Sequence, residues 1–173
     1  MPERIEITKM KENSTNREYV ITNVKTERAL LEFASPELRD DKEVVLEAIE
    51  NNPEALEFAS DRLKEDRQIV YESVSEVGWT YCYAKENLLE DKELLLAGLK
   101  KSGQILYFAS PELRDDKEVV MEAVTNKPII IKYASGRLRE DKEIGLAAMK
   151  VSPKCYEFLG PNLKKDEKIL TMH

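Results

Sequence analysis

Aspartate followed by a basic residue recurs at Asp41, Asp66, Asp91, Asp116 and Asp141, always 25 residues apart, and no insertion or deletion breaks the frame. A strict period this short means a chain built from copies of one small unit. Each copy is too small to bury its own apolar side, so neighbours must stack. Taking that aspartate as slot 1 extends the frame back to Asn16 and forward to Asp166. It defines repeats 16–40, 41–65, 66–90, 91–115, 116–140 and 141–165. Slot 4 holds Tyr19, Val44, Ile69, Leu94, Val119 and Ile144. Slot 18 is always aromatic (Phe33, Phe58, Tyr83, Phe108, Tyr133, Phe158), and slot 23 is leucine from Leu38 to Leu163.

These slots predict the form of one repeat. Slots 4, 5, 8 and 9 are apolar or small, which is one stripe of a helix over about slots 2 to 11. Aspartate at slot 1 is placed to accept from the free amides of the first turn, and acids at slot 3 such as Glu43, Glu93, Glu118 and Glu143 suit the positive end of the helix dipole. Asn52-Pro53, Lys127-Pro128 and Ser152-Pro153 then start a second helix, because proline is tolerated in a first turn. The inward face of this second helix is predicted at slots 15, 16, 18 and 19. Ser35-Pro36 and Ser110-Pro111 repeat the cap-then-proline signal for a single closing turn pinned by the slot-23 leucine. The fold class expected is all-α. The expected architecture is an α-solenoid, wound as a right-handed superhelix, of about six 25-residue units, each a pair of short helices plus a one-turn helix. The period is too short for tetratricopeptide, ankyrin or armadillo units. A leucine-rich repeat, with Val44 to Leu46 as a strand, lacks that family's alternating leucines and asparagine.

The segments Leu-Arg-Asp-Asp-Lys-Glu-Val-Val at 38–45 and 113–120, with Ala-Leu-Glu-Phe-Ala-Ser at 55–60 and Ile-Leu-Tyr-Phe-Ala-Ser at 105–110, carry a resemblance. They are similar to the tandem-repeat family known as domain of unknown function 4116, whose unit is about two of the 25-residue repeats. The resemblance covers roughly 16–165. It implies an array of helical repeats and brings no activity or catalytic residues with it.

Composition narrows the function classes. A net charge of -7 disfavours a general nucleic-acid binder, whose affinity comes from neutralised phosphates. Cys82 and Cys155 occupy inequivalent slots, 17 and 15, and are expected as free, buried or half-buried thiols. The one histidine is His173, so a cysteine nucleophile has no evident basic partner. The chain is therefore expected to be no enzyme, with no cofactor and no metal. Met1 to Ser14 lacks the apolar core of a secretory signal, and no 18-residue apolar run occurs. A cytoplasmic protein is the expectation, with leaderless secretion left open.

Charge has two notable patterns. The aspartate ladder reads first as helix caps, with an acidic track for cations or basic peptides as the alternative. Basic residues at slots 24 and 2, such as Arg39 and Lys42 or Arg139 and Lys142, are expected to form charge pairs within and between repeats. Net charge by repeat runs -1, -5, -3, 0, +1 and +2. The acidic early repeats and mildly basic last two are consistent with drift of exposed positions, or with a polarised surface orienting a partner.

Binding is best sought where the frame permits variation. Slots 14 and 17 lie three apart on the second helix and should share an outer stripe. In three consecutive repeats they hold Trp79 and Cys82, Gln104 and Tyr107, and Ile129 and Lys132, whereas elsewhere they are mostly polar: Ala29, Glu54 and Lys154, then Glu32, Glu57 and Glu157. These six residues are the candidate partner-binding patch. The competing outcome for Trp79 is inward packing beside Val77-Gly78. Outside the frame, residues 1–15 supply Ile5, Ile7 and Met10 to cover the first repeat, and 166–173 begins a further long helix of about two turns. The functional expectation is a non-catalytic helical-repeat scaffold for a protein or peptide partner. RNA binding by the basic C-terminal repeats and a purely architectural spacer are the alternatives.

Overall fold

The computed structural model describes residues 4–25 and 28–172, with the side chains of residues 4–6, 28, 29 and 86 outside that description. Every regular element among the described residues is helical. The predicted long helix forms at slots 2 to 11 as Lys42–Asn51, Arg67–Glu76, Lys117–Asn126 and Lys142–Val151, and in shorter form as Arg17–Val24 and Lys92–Leu99. Its stripe is buried as expected: Val44, Val45, Ala48 and Ile49 in one repeat, and Val119, Val120, Ala123 and Val124 in another. Each fully buried valine or isoleucine among them contributes about 1.5–3 kcal/mol. Where slot 8 is serine, its hydroxyl is satisfied. Ser73 Oγ lies 2.7 Å from both Pro53 O and Thr80 Oγ1, and Thr80 Oγ1 donates to Val77 O.

The second helix differs from expectation. It is a six-residue 3-10 helix in every repeat: Arg28–Phe33, Pro53–Phe58, Gly78–Tyr83, Gly103–Phe108, Pro128–Tyr133 and Pro153–Phe158. The extended slot before it, Asn52 at φ -150°, and the extended alanine after it, Ala59 at ψ 157°, leave room for only two tight turns closed by i to i+3 bonds such as Ala55 N to Asn52 O at 2.9 Å. Slots 15 and 16 are buried in most repeats, as in Ala55 and Leu56 or Ile105 and Leu106, and so are the slot-19 alanines. The slot-18 aromatics predicted to point inward are half-buried instead, and Phe108 is 44% exposed. The ring ends the 3-10 helix where the chain turns extended, so it sits at the rim of the core. The closing turn follows, as in Pro36–Arg39, Asp61–Lys64 and Gly136–Arg139, with the slot-23 leucines buried.

The chain forms two compact halves, Met1–Leu88 and Leu89–His173. Within the first, the long helices of 16–40, 41–65 and 66–90 pack side by side, and their 3-10 helices form a second layer. Within the second, the last three repeats do the same. Arg4–Glu12 packs on Arg28–Phe33 and buries Met10, while Ile7 is half-buried and the side chain of Ile5 lies outside the described residues. The segment after Asp166 makes one helical turn, Glu167–Leu170, rather than two, and inserts Ile169 into the core.

Candidate partner-binding surface

The aspartate ladder is occupied at every repeat, which decides between cap and track. In Asp116, one carboxylate oxygen accepts from Glu118 N at 3.0 Å and Val119 N at 3.1 Å, while the other takes Lys92 Nζ at 2.8 Å. Asp41, Asp66, Asp141 and Asp166 cap in the same way and take Arg17, Lys42, Lys117 and Lys142 from the preceding repeat. The slot-2 cation therefore ties each repeat to the next within a half. The hydrogen bond from Arg17 holds Asp41 below the ordinary carboxylate range, and Lys142 does the same for Asp166. Asp91 also caps, accepting from Leu94 N at 2.9 Å, and in the other five aspartates both oxygens are used internally, so this row reads as caps and not as a free anionic track.

Slot 24 departs from expectation. Lys64 and Lys164 donate to the slot-17 carbonyls of their own repeats, Glu57 O at 2.7 Å and Glu157 O at 2.9 Å. Arg39, Arg114 and Arg139 make no ion pair among the described residues, and their Nε atoms are buried without a hydrogen-bond partner. Their stems lie against the core, while their backbone carbonyls receive slot-20 amides, as in Ser60 N to Arg39 O at 2.9 Å and Ser135 N to Arg114 O at 2.9 Å. Packing, not pairing, sets these arginines.

The 3-10 form sharpens the predicted stripe. With three residues per turn, slots 14 and 17 eclipse each other on one outer line. In the first half Trp79 is 37% exposed and edges onto Tyr83 with centroids 5.4 Å apart, so it is not drawn into the core, while Cys82 is half-buried. Burial pushes the Cys82 thiol up and does the same to Cys155, so neither thiolate is favoured.

In the second half the other four candidates are brought together. Gln104, Tyr107, Ile129 and Lys132 all line one open groove of about 360 Å³ between Gly103–Phe108 and Pro128–Tyr133. Tyr107 is 56% exposed and Ile129 38%. Tyr107 meets Tyr133 edge to face at 5.0 Å and Phe108 at 5.1 Å, and Lys132 Nζ stands 4.8 Å over the Tyr133 ring. These edge-to-face pairs each favour the observed ring arrangement by about 0.5–1.5 kcal/mol.

Sequence reasoning missed four members of this groove: Phe108, Tyr133, Ile130 and Lys127. The first two were assigned to the core by an α-helical period. A period of three, signalled by the Pro-started six-residue segment, would have placed slot 18 at the rim. Lys127 sits at slot 12, where other repeats carry glutamate, asparagine, valine or serine. A second groove of about 780 Å³ was also missed. It lies between Lys42–Asn51 and Arg67–Glu76, over Leu46 and Ile49, with Glu50, Glu72 and Glu76 on its margin.

Among the described residues no group of histidine, cysteine and carboxylate side chains is placed to hold a metal ion, and no helix is long and apolar enough to cross a membrane. Comparison with curated proteins and with solved structures gives no match. A family model does match, three times in tandem, at residues 16–64, 66–114 and 116–164. Each match spans two of the 25-residue repeats and begins at a cap residue or directly on it, so the family unit is a pair of the structural units described above. Those matches take in most of the chain, which belongs to the family described as domain of unknown function (DUF4116).

Proposed function

We propose that the chain is a non-catalytic scaffold that binds a peptide segment of a protein partner through the outer line of its 3-10 helices, with the groove between Gly103–Phe108 and Pro128–Tyr133 as the principal contact. The observation that carries this reading is the cluster of Tyr107, Phe108 and Ile129, all more than a third exposed, around one concavity in a repeat whose framework slots are already filled by packing. Rigid aromatic side chains in a groove are the usual anchors of a binding surface, since they offer area at little conformational cost. A non-catalytic role fits two thiols whose ionisation burial opposes. Two free thiols suit a reducing compartment such as the cytoplasm.

The test is selection of a random-peptide display library on the full chain, followed by measurement of the enriched pool on the Tyr107→Ala, Ile129→Asp double variant. Both side chains are exposed, so the helical circular-dichroism signal should be kept while capture is lost. Undiminished capture by the folded double variant would remove this groove from consideration.

A further inference from the structure

We propose that this groove takes an extended acidic peptide, in which an aromatic or aliphatic side chain enters the concavity and carboxylates on either side of it meet Lys127 and Lys132. The inference rests on the peptide-binding reading above and specifies its ligand. Of the residues that line the groove, the only charged ones are these two lysines. The walls are Tyr107, Phe108, Ile129 and Tyr133, which suit a single apolar side chain.

The repeat supplies an internal control on the charge. Slot 17 is glutamate in three of the six repeats, at Glu32, Glu57 and Glu157, and in each it is exposed to solvent. The framework therefore accepts an acid at this slot, yet in 116–140 the slot carries Lys132. Slot 12 is neutral in four of the other repeats and acidic in one, at Glu27, and it is a cation here, as Lys127. Neither lysine is used by the fold as an ion-pair partner among the described residues. Lys132 Nζ lies 4.8 Å over the Tyr133 ring, a contact that biases its position and leaves its N–H donors available.

Carboxylates fit better than a nucleic-acid backbone. Repeats 91–115 and 116–140 carry net charges of 0 and +1, which is too weak a field for a polyanion whose binding depends on many neutralised phosphates. Two lysines flanking one apolar concavity match a short pattern of acid, apolar residue and acid. Lys127 caps the 3-10 helix that contains Lys132, and five residues at about 2.0 Å rise each separate them by roughly 10 Å, which an extended chain rising about 3.3 Å per residue spans in about three residues.

The experiment measures fluorescence anisotropy of three labelled peptides on the full chain: Glu-Asp-Phe-Leu-Asp-Glu, its basic counterpart Lys-Lys-Phe-Leu-Lys-Lys, and the apolar-deleted Glu-Asp-Gly-Gly-Asp-Glu. The wild-type chain should prefer the first over each of the others by about tenfold, the size expected when two or three exposed charge contacts are gained. Lys132→Glu, which restores the residue found at slot 17 elsewhere, should fold normally and reverse the preference between acidic and basic peptides. Lys127→Glu should act in the same direction. Equal affinity for acidic and basic peptides, both weakened by Tyr107→Ala, would overturn the acidic ligand and leave the groove as a peptide site. Binding of all three peptides untouched by Tyr107→Ala and by Ile129→Asp would overturn the groove itself. A single-stranded oligouridine that binds more tightly than the acidic peptide and displaces it would also overturn the inference, in favour of nucleic acid.

Discussion

Replacing Asp116 separates the two tasks that the structure gives to one carboxylate. Its first oxygen accepts from Glu118 N and Val119 N at 3.0 and 3.1 Å, and its second takes Lys92 Nζ at 2.8 Å. Loss of an N-cap costs about 1 kcal/mol. The pair with Lys92 is partly exposed, with side-chain exposures of 38% and 29%, so it contributes roughly 0.5 kcal/mol. Asp116→Ala removes both and should cost about 1.5 kcal/mol, whereas Asp116→Asn keeps an acceptor for the amides and should cost only about 0.5 kcal/mol. Lys92→Met leaves the cap and removes this pair together with the exposed Lys92–Glu118 pair at 2.9 Å, so it should cost as much as the asparagine variant or slightly more. In a chain of this length these values correspond to a fall in Tm of about 3–6 °C for alanine and about 1–2 °C for the other two. Thermal and urea unfolding followed by circular dichroism measure them, and the Asp116→Asn, Lys92→Met double variant should cost little more than either single change. An asparagine variant as damaged as the alanine variant would refute capping as the main role. An alanine variant as stable as wild type would return the ladder to function.

Two further perturbations follow from particular contacts. A Cβ added at Gly103 would lie 2.9 Å from Ala123 O and 3.0 Å from Lys127 Cβ, so backbone and stem must shift. Gly103→Ala should therefore destabilise by about 1–3 kcal/mol. At Gly136 an added Cβ meets nothing within 4 Å, and Gly136→Ala should be neutral or stabilising by up to about 1 kcal/mol in the same unfolding assay. Acid should also weaken the fold. Asp40, Asp41, Asp115 and Asp166 are all held below their ordinary value, by Ser60 and Arg62, by Arg17, by Ser135 and Arg137, and by Lys142 respectively. In that range the unfolded chain binds more protons than the folded one. The stability these groups confer is thus complete above the unfolded carboxylate value of about 3.9 and is lost as pH falls through their depressed folded values. Tm measured from pH 6 to pH 2 should be flat at first and then drop, and a flat profile throughout would refute the linkage.

The long helix was legible from sequence because three independent signals agree on it: the cap at slot 1, the apolar stripe at slots 4, 5, 8 and 9, and proline or glycine at slot 13. The 3-10 helix was not, because six residues hold too few apolar positions to tell a period of 3.0 from one of 3.6. That ambiguity sent Phe108 and Tyr133 to the core, when both line the groove. The stripe of slots 14 and 17 survived the error, since residues three apart share a side in either helix. Lys127 was missed because a single cation at a linking slot carries no periodicity at all.

The contacts between repeats show a further kind of information that column-by-column reading overlooks. In two repeats the slot-25 acid is aspartate, and Asp40 and Asp115 accept from the slot-20 hydroxyls of Ser60 and Ser135 and from Arg62 and Arg137. Those serines in turn cap the closing turn, accepting from Leu63 N and Leu138 N at 3.2 Å. At the next such junction the acid is Glu140 and slot 20 is Gly160. The longer glutamate reaches past the glycine and accepts from Leu163 N at 2.8 Å, so it performs the cap that serine performs elsewhere. A Cβ at Gly160 would come within 2.2 Å of Glu140 Cδ, so a serine could not coexist with this arrangement unless the glutamate moved. Read alone, each substitution is a loss: a methylene added at slot 25 and a hydroxyl removed at slot 20. Read across the junction they are one exchange that keeps the leucine amide satisfied. Variation in such a repeat is therefore informative only after paired framework changes are set aside, and Lys132 with Lys127 remains a departure that no framework contact explains.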